Sequence, residues 1–257
     1  MWHSSVAVNR TTYTVGVVGL QSSILWKTQA GTMMLSVVIP TLDETQTLAG
    51  TLTAARQPGV AELIVADGGS RDDTVRVARS LADVVLEVPR GRARQMNAGA
   101  AAARGDVLLF LHADTRLPAC YPAFVGKALG DPAAVGGRFD VRVDADGIAY
   151  RIIERGISLR SRVTGVATGD QAIFVRRAVF ERLAGYPPLP LMEDIALCRA
   201  LKREGHMVAL HEAVVTSARR WQRHGVARTV LLMWALRTAY YLGVSPARLA
   251  RVYADAR

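Results

Sequence analysis

DVLLFLHADT (Asp106–Thr115) decides how the chain is read. An acid opens it, an apolar run follows from Val107 to Leu111, and it then breaks into His112-Ala113-Asp114-Thr115. So short an apolar run reads as a buried strand, wet only at its exit. Ligands of open α/β sheets bind outside the carboxyl ends of the strands. Asp114 is therefore a candidate ligand or metal contact. Taken alone, it reads first as a turn acid ahead of Pro118.

Working back from this stretch, strand and helix patterns alternate. Leu35–Ile39 is a strand stopped by Pro40, with a helical stretch from Glu44 to about Arg56. Strand Glu62–Ala66 leads into Asp67-Gly68-Gly69-Ser70, where Ser70 and Asp73 make a capping box for a helix to about Leu81. Strand Val84–Val88 ends at Pro89, and Arg90 to Arg104 reads as a basic loop and an Ala-rich helix. Strands alternating with helices imply an α/β fold, with a mainly parallel sheet and right-handed crossovers. The exits Thr41–Glu44, Asp67–Ser70, Arg90–Arg94 and His112–Asp114 then share one edge. Acids, glycines and arginines gathered there suit a nucleotide diphosphate.

Downstream the pattern is less regular. Tyr121–Leu129 is helical, Ala134–Val143 extended and Ile148–Val163 a helix with arginine on its polar side. Gly169-Asp170-Gln171 precedes a strand Ala172–Val175 and a short helix Ala178–Leu183. Met192-Glu193-Asp194 opens a helix ending near Gly205, before strand Met207–Leu210 and the segment Ser217–Trp221. An apolar helix Val226–Leu242 and a short one after Pro246 follow. Val230–Leu236 is wholly apolar but too short to span a bilayer. Near Arg219, Arg220, Arg223, Arg228 and Arg237 it fits a bilayer surface, or else packs against the domain or a second subunit.

Composition bounds the partners. The formal charge is +10, yet lysine occurs only at Lys27, Lys127 and Lys202. Arginine favours bidentate contact with phosphates or anionic headgroups. The chain shows no helix-turn-helix, zinc-finger or interleaved aromatic pattern, so nucleic acid is not expected. The cysteines Cys120 and Cys198 make no disulfide framework, and a reducing cytosol is the expected setting. Residues 1–33 lack acids and match neither a signal peptide nor a membrane span; they read as a disordered leader or a mis-assigned start. Residues 34–225 read as the working domain and 226–257 as a C-terminal helical segment that meets a membrane surface or a dimer partner.

Together these segments resemble the family 2 inverting glycosyltransferases with the GT-A fold, over roughly Leu35 to Trp221. VVIPTLDE (Val37–Glu44) is similar to the family's opening strand and nucleotide loop, and VADGGSRDDT (Val65–Thr74) to its second strand. GRARQMNAG (Gly91–Gly99) resembles the helix before the metal strand, and FLHADT stands where the family carries DxD. MEDIALCRALKREG (Met192–Gly205) resembles the acceptor helix that carries an ED pair, and SARRW (Ser217–Trp221) the RW element of processive members. More narrowly, FLHADT with GDQ and RRW resembles small bacterial stand-alone members. Two departures are visible: His112 replaces the first acid of DxD, and Leu42 stands where an aromatic often stacks on the base.

The resemblance implies transfer of a sugar from a nucleotide-diphosphate donor, UDP- or GDP-linked, to an acceptor hydroxyl that is lipid-linked in one reading. Asp194 is then the general base with Glu193 beside it, and Asp114 holds Mn2+ or Mg2+. The N-terminal helix dipole is expected to keep Asp194 ionised. Pro40, Thr41, Glu44, Asp67, Gly68, Arg94, His112 and Ala113 are assigned to the nucleotide, with His112 on ribose or as a nitrogen ligand to the metal. Gly169, Asp170, Gln171, Arg220 and Trp221 are assigned to the donor sugar or the acceptor. For each there is a plainer reading: Asp67 as a turn acid, Glu193 and Asp194 as helix caps, Arg94 as a solvated face. Two rivals stand beside the transferase. One is a catalytically silent sugar-nucleotide or lipid-binding module. The other is a nucleotidyltransferase, whose basic phosphate loop GRARQ loosely resembles, although here it follows the third strand rather than the first.

Overall fold

Strand β1 (Leu35–Thr41) is apolar on both sides, and all of it but Pro40 is buried. Such a strand needs cover on both faces. A computed structural model describes residues 33–255 and supplies that cover. The reading of residues 1–33 as a leader falls outside the described residues except at Met33.

Side chains alternate across the sheet with a period of two. Leu35, Val37 and Ile39 join Leu63, Val65, Leu109 and Leu111 on one face, under helices α1 (Thr45–Ala55), α2 (Thr74–Leu81) and α4 (Tyr121–Ala128). Val38, Ile64, Leu108 and Phe110 face the other way, under α3 (Arg92–Ala102) and α7 (Glu193–Glu204). Gly99 makes the second layer possible. A Cβ there would stand 2.4 Å from Val38 Cγ1, so only glycine lets α3 lie this close to β1.

β1 pairs in parallel with β2 (Val60–Asp67) and β4 (Val107–Phe110), and β2 with β3 (Val84–Glu87). The remaining strands are β5 (Thr115–Arg116), β6 (Ala134–Asp144), β7 (Ile173–Arg176) and β8 (His206–Ser217). The sheet runs β3-β2-β1-β4-β7-β6-β8-β5. β7 is antiparallel to β4 and β6, β6 is parallel to β8, and β5 is antiparallel to β8. The result is the mixed, mostly parallel sheet flanked by helices that the sequence implies. Helices α5 (Ile148–Thr164) and α6 (Arg177–Arg182) complete the second half, and α8 (Arg219–His224), α9 (Val226–Tyr241) and α10 (Pro246–Asp255) follow β8.

Three local expectations change. Ser70 and Asp73 form no capping box: Ser70 Oγ donates to Asp67, and the Thr74 N–H is taken by Asp72 Oδ1 at 3.0 Å. Met207–Leu210 is the beginning of a much longer strand that ends at Ser217, and the segment Ser217–Trp221 then turns into α8. The two-residue β5 has no apolar pattern of its own. It is held by β8, with the Thr115 and Thr216 hydroxyls 3.1 Å apart. Consequently the chain just after Asp114 lies beside the end of β8, and the Ser217 N–H donates to the Asp114 carbonyl at 3.1 Å.

Candidate active site

The strand exits meet as the sequence implies. The Gly68 N–H donates to the Thr41 carbonyl at 2.9 Å, the Asp43 N–H to Ser70 Oγ, and the Glu44 N–H to Thr74 Oγ1. Gln95, on α3, donates through Nε2 to the carbonyls of both Thr41 and Ala66, joining the first two exits from below. Asp67 is at the centre of this edge and only 1 % exposed. Its carboxylate accepts from Thr41 Oγ1, Ser70 Oγ and the N–H groups of Gly69 and Ser70. A carboxylate has about four acceptor positions, so Asp67 is fully engaged. It braces the loop, as the plainer turn-acid reading has it.

At the third exit the side chains that face inward are not those first singled out. Arg92 and Arg94 are both exposed, but Arg92 sends Nη1 to within 3.6 Å of Glu193 Oε1. Desolvation lowers the Arg92 pKa, but attraction to Glu193, Asp194, Tyr253 and Asp114 together holds it above its ordinary value. One guanidinium thus lies within electrostatic reach of both Asp194 and Asp114.

The fourth exit carries His112 and Asp114. Asp114 is partly exposed, and its Oδ2 is 3.6 Å from Arg219 Nη2. The same nitrogen pairs at 2.5 Å with Glu44 Oε2. Ala113 contributes no side-chain chemistry: it is 4 % exposed, and its carbonyl accepts from Thr51 Oγ1. The His112 imidazole is driven well below its usual pKa by burial, then by Arg92 and Arg220, and is neutral at pH 7. Its Nε2 is buried without a hydrogen-bond partner among the described residues. A Cβ on Gly169 would stand 2.4 Å from that nitrogen, so glycine is required opposite it.

Gly169 links this exit to α7. Its N–H donates to Asp194 Oδ2 at 2.9 Å, and the Ile195 N–H to Asp194 Oδ1 at 2.7 Å. Met192, just ahead, is in the left-handed region at φ 67°, a strained conformation that costs about 1 kcal/mol or more and sets the entry of α7. The expectation that the helix start keeps Asp194 ionised is reversed. Burial, then the adjacent Glu193 carboxylate, push its pKa up to about 7, against the two N–H donors and Arg92. Here desolvation outweighs the helix dipole. Pro40, Met96, Phe110, Ile173 and Tyr186 line the same cleft as Arg92, His112, Gly169, Glu193 and Asp194.

A sequence model described as glycosyl transferase family 2 matches residues 36–184, more than half of the chain. The chain belongs to glycosyl transferase family 2. The O-antigen chain rhamnosyltransferase RfbN of Salmonella typhimurium is 30% identical over 208 residues, 71% of this chain and 66% of that protein. Among solved structures, S. aureus TarS 1-349 in complex with UDP superposes with a TM-score of 0.59 at 17% identity, covering 72% of this chain and 60% of that one. The mannosyltransferase PcManGT of Pyrobaculum calidifontis, in complex with GDP-Man and Mn2+, gives 0.60 at 22% identity, covering 81% of this chain and 61% of that one. The chain therefore spans less than two thirds of the length of these relatives. The two structures establish the fold as that of GT-A glycosyltransferases.

Within this family 2 site, Pro40, His112, Gly169, Glu193 and Asp194 come together, with Glu44 and Asp114 joined by Arg219. Thr41 and Gly68 are buried under Asp67 and Gln95 and shape the loop. Gln171 is 0 % exposed, and its amide is engaged with the Phe139 carbonyl, Ser161 Oγ and the Thr168 N–H. Asp170 keeps a buried Oδ1 with no partner among the described residues. Arg220 lies over the Tyr253 ring and lines a neighbouring cleft with His224 and Arg228, while Trp221 lines neither cleft. Arg92 and Arg219 escaped the sequence reading. Arg92 stands two residues from Arg94 and Arg219 next to Arg220, and helix phase alone does not say which of two nearby arginines turns inward.

Among the described residues no cluster of three or more His, Cys, Asp or Glu could hold a metal by itself. A cation carried on a diphosphate needs only one or two protein carboxylates, and Asp114, partly open and facing a cation already, fits that need. His112 Nε2 faces Gly169, beside the hydrogen bond to Asp194.

Proposed function

We propose that this chain is an inverting glycosyltransferase moving a sugar from a nucleotide-diphosphate donor to an acceptor hydroxyl. The observation that carries this reading is Asp194, a half-buried carboxylate with a pKa near 7 at the mouth of a cleft shared with Arg92 and His112. A general base works best when its pKa lies near the operating pH. The Gly169 and Ile195 N–H groups hold the carboxylate in place, and Glu193 raises its basicity. Arg92 steadies the negative charge shared by Glu193 and Asp194. Neutral His112 takes no proton at pH 7; its free Nε2 offers a hydrogen bond to a donor hydroxyl.

Asp114 would hold Mn2+ or Mg2+, and such a cation neutralises charge on the leaving diphosphate. The Mn2+ in the PcManGT complex supports this, and the UDP and GDP-Man complexes support a nucleotide-sugar donor. Arg219 occupies Asp114 and Glu44 in the meantime and turns to the diphosphate when the donor arrives. Asp170, through its unpartnered oxygen, is the remaining sugar contact. The acceptor we infer is lipid-linked, met at the membrane surface. Among the described residues no helix is long and apolar enough to cross a membrane.

The test is a panel of UDP-, GDP- and dTDP-sugars with Mn2+, scored for thermal shift and donor hydrolysis. Stabilisation by one nucleotide, with hydrolysis lost in Asp194→Ala, is the expected result. Stabilisation without turnover in the parent favours a silent binding module. Release of pyrophosphate favours a nucleotidyltransferase, and no stabilisation by any nucleotide overturns the reading.

A further inference from the structure

Helix α9 is apolar on two opposite sides. Leu236, 3 % exposed, packs inward with Val166, Ile173, Ile195, Cys198 and Leu249. On the outer side Leu231 is 70 % exposed, Trp234 70 %, Tyr241 52 % and Leu242 80 %. At about 100° per residue these four fall within one stripe roughly 100° wide. A surface helix in water ordinarily turns polar residues outward, and one apolar all round has a second apolar neighbour.

Charge says what that neighbour is. No Asp or Glu occurs between Glu212 and Asp255, while seven arginines do. A symmetric dimer through this face would set the same basic surface against itself. An anionic bilayer meets both needs at once: headgroups for arginine, and the headgroup–acyl boundary for Leu231, Trp234 and Tyr241. Trp and Tyr favour that depth because each has an apolar body and a polar tip.

We propose that the outer face of α9, with the exposed Arg223, Arg228, Arg248 and Arg251 on α8, α9 and α10, docks on a bilayer carrying anionic headgroups. Only Gly225 separates α9 from α8, whose Arg219 reaches Glu44 and Asp114, so a docked surface borders the cleft. The inference specifies the surface through which a lipid-borne acceptor is met. It rests on the transferase reading for that purpose alone.

The experiment uses the full chain with phosphatidylcholine vesicles, with and without phosphatidylglycerol, read by co-sedimentation. Binding is expected only with phosphatidylglycerol and is expected to weaken in high salt, as exposed charges are screened. Leu231→Ser/Trp234→Ser removes outward side chains, so its melting temperature and nucleotide thermal shift are expected to be those of the parent. Its vesicle partitioning is expected to fall about tenfold or more, because two apolar anchors are lost. Equal partitioning by variant and parent overturns the proposal, as does absence of binding to anionic vesicles. So does a solution dimer that the double variant dissociates, which assigns the face to a second copy. Nucleotide shift without vesicle binding would sink the docking surface and leave the transferase standing. Vesicle binding without any nucleotide effect would do the reverse.

Discussion

Two acids, Asp67 and Asp194, stand at ends of secondary structure on the same side of the sheet, each beside a glycine-containing turn, and the chain uses them in opposite ways. Asp67 has four donors and is sealed from water. Asp194 has two donors, a buried acid as its neighbour and one face on the cleft. The difference teaches that donor count separates a brace from an acid open to the cleft, the base of the function proposed above. A fully satisfied carboxylate has nothing left to offer a proton, whereas an under-satisfied one is basic and available.

The largest effect expected is on Asp194→Asn. Transfer should fall by about a thousandfold, in the range removed with a general base, while nucleotide-induced thermal shift is kept. Retention of more than a tenth of the parent's turnover in a steady-state assay would break the contrast. The matching change Asp67→Asn should act on the fold. One face of the amide would point donors at the N–H groups of Gly69 and Ser70, costing about 2–3 kcal/mol and about 5–10 °C of melting temperature. An unchanged melting curve would mean that Asp67 is no brace.

Next in size is the pH response. Activity should rise with pH through about 7 as Asp194 loses its proton. Arg92→Gln removes a cation that favours the ionised form, so the midpoint should move upward by roughly one unit. A pH–rate profile that does not move would remove Arg92 from the site. The same protonation has a stability consequence. An unfolded Asp titrates near 3.8 and the folded Asp194 near 7, so between those values the folded state binds more protons. Stability from this group is therefore full below about pH 4 and lost as pH rises to 7. Asp194→Asn should melt a few degrees above the parent at pH 8, about 3 °C, and level with it at pH 4. The smallest effect expected is for Arg219→Gln, which frees Asp114 from a competing guanidinium. The cation concentration for half-maximal thermal shift in the presence of nucleotide should fall by about threefold, since a partly exposed ion pair contributes less than about 1 kcal/mol.

The sequence by itself determined the first half of the fold. Leu35–Ile39, Glu62–Ala66 and Val107–Leu111 are too apolar to be anything but buried strands, and the helices between them leave a parallel sheet as the way to bury both faces. It also determined that the exits of those strands share an edge, because strand direction follows from connectivity. Tertiary structure alone decided the rest. β5 exists only because β8 runs far enough to pair with it, and that pairing brings Arg219 to Asp114 and Glu44. Whether Arg92 or Arg94 turns inward, and whether Asp67 or Asp194 is the open acid, depend on packing among α3, α7 and the Gly169 turn. Local pattern says that an acid stands at an element's end; only its neighbours in space, by supplying donors or withholding water, decide what that acid can do.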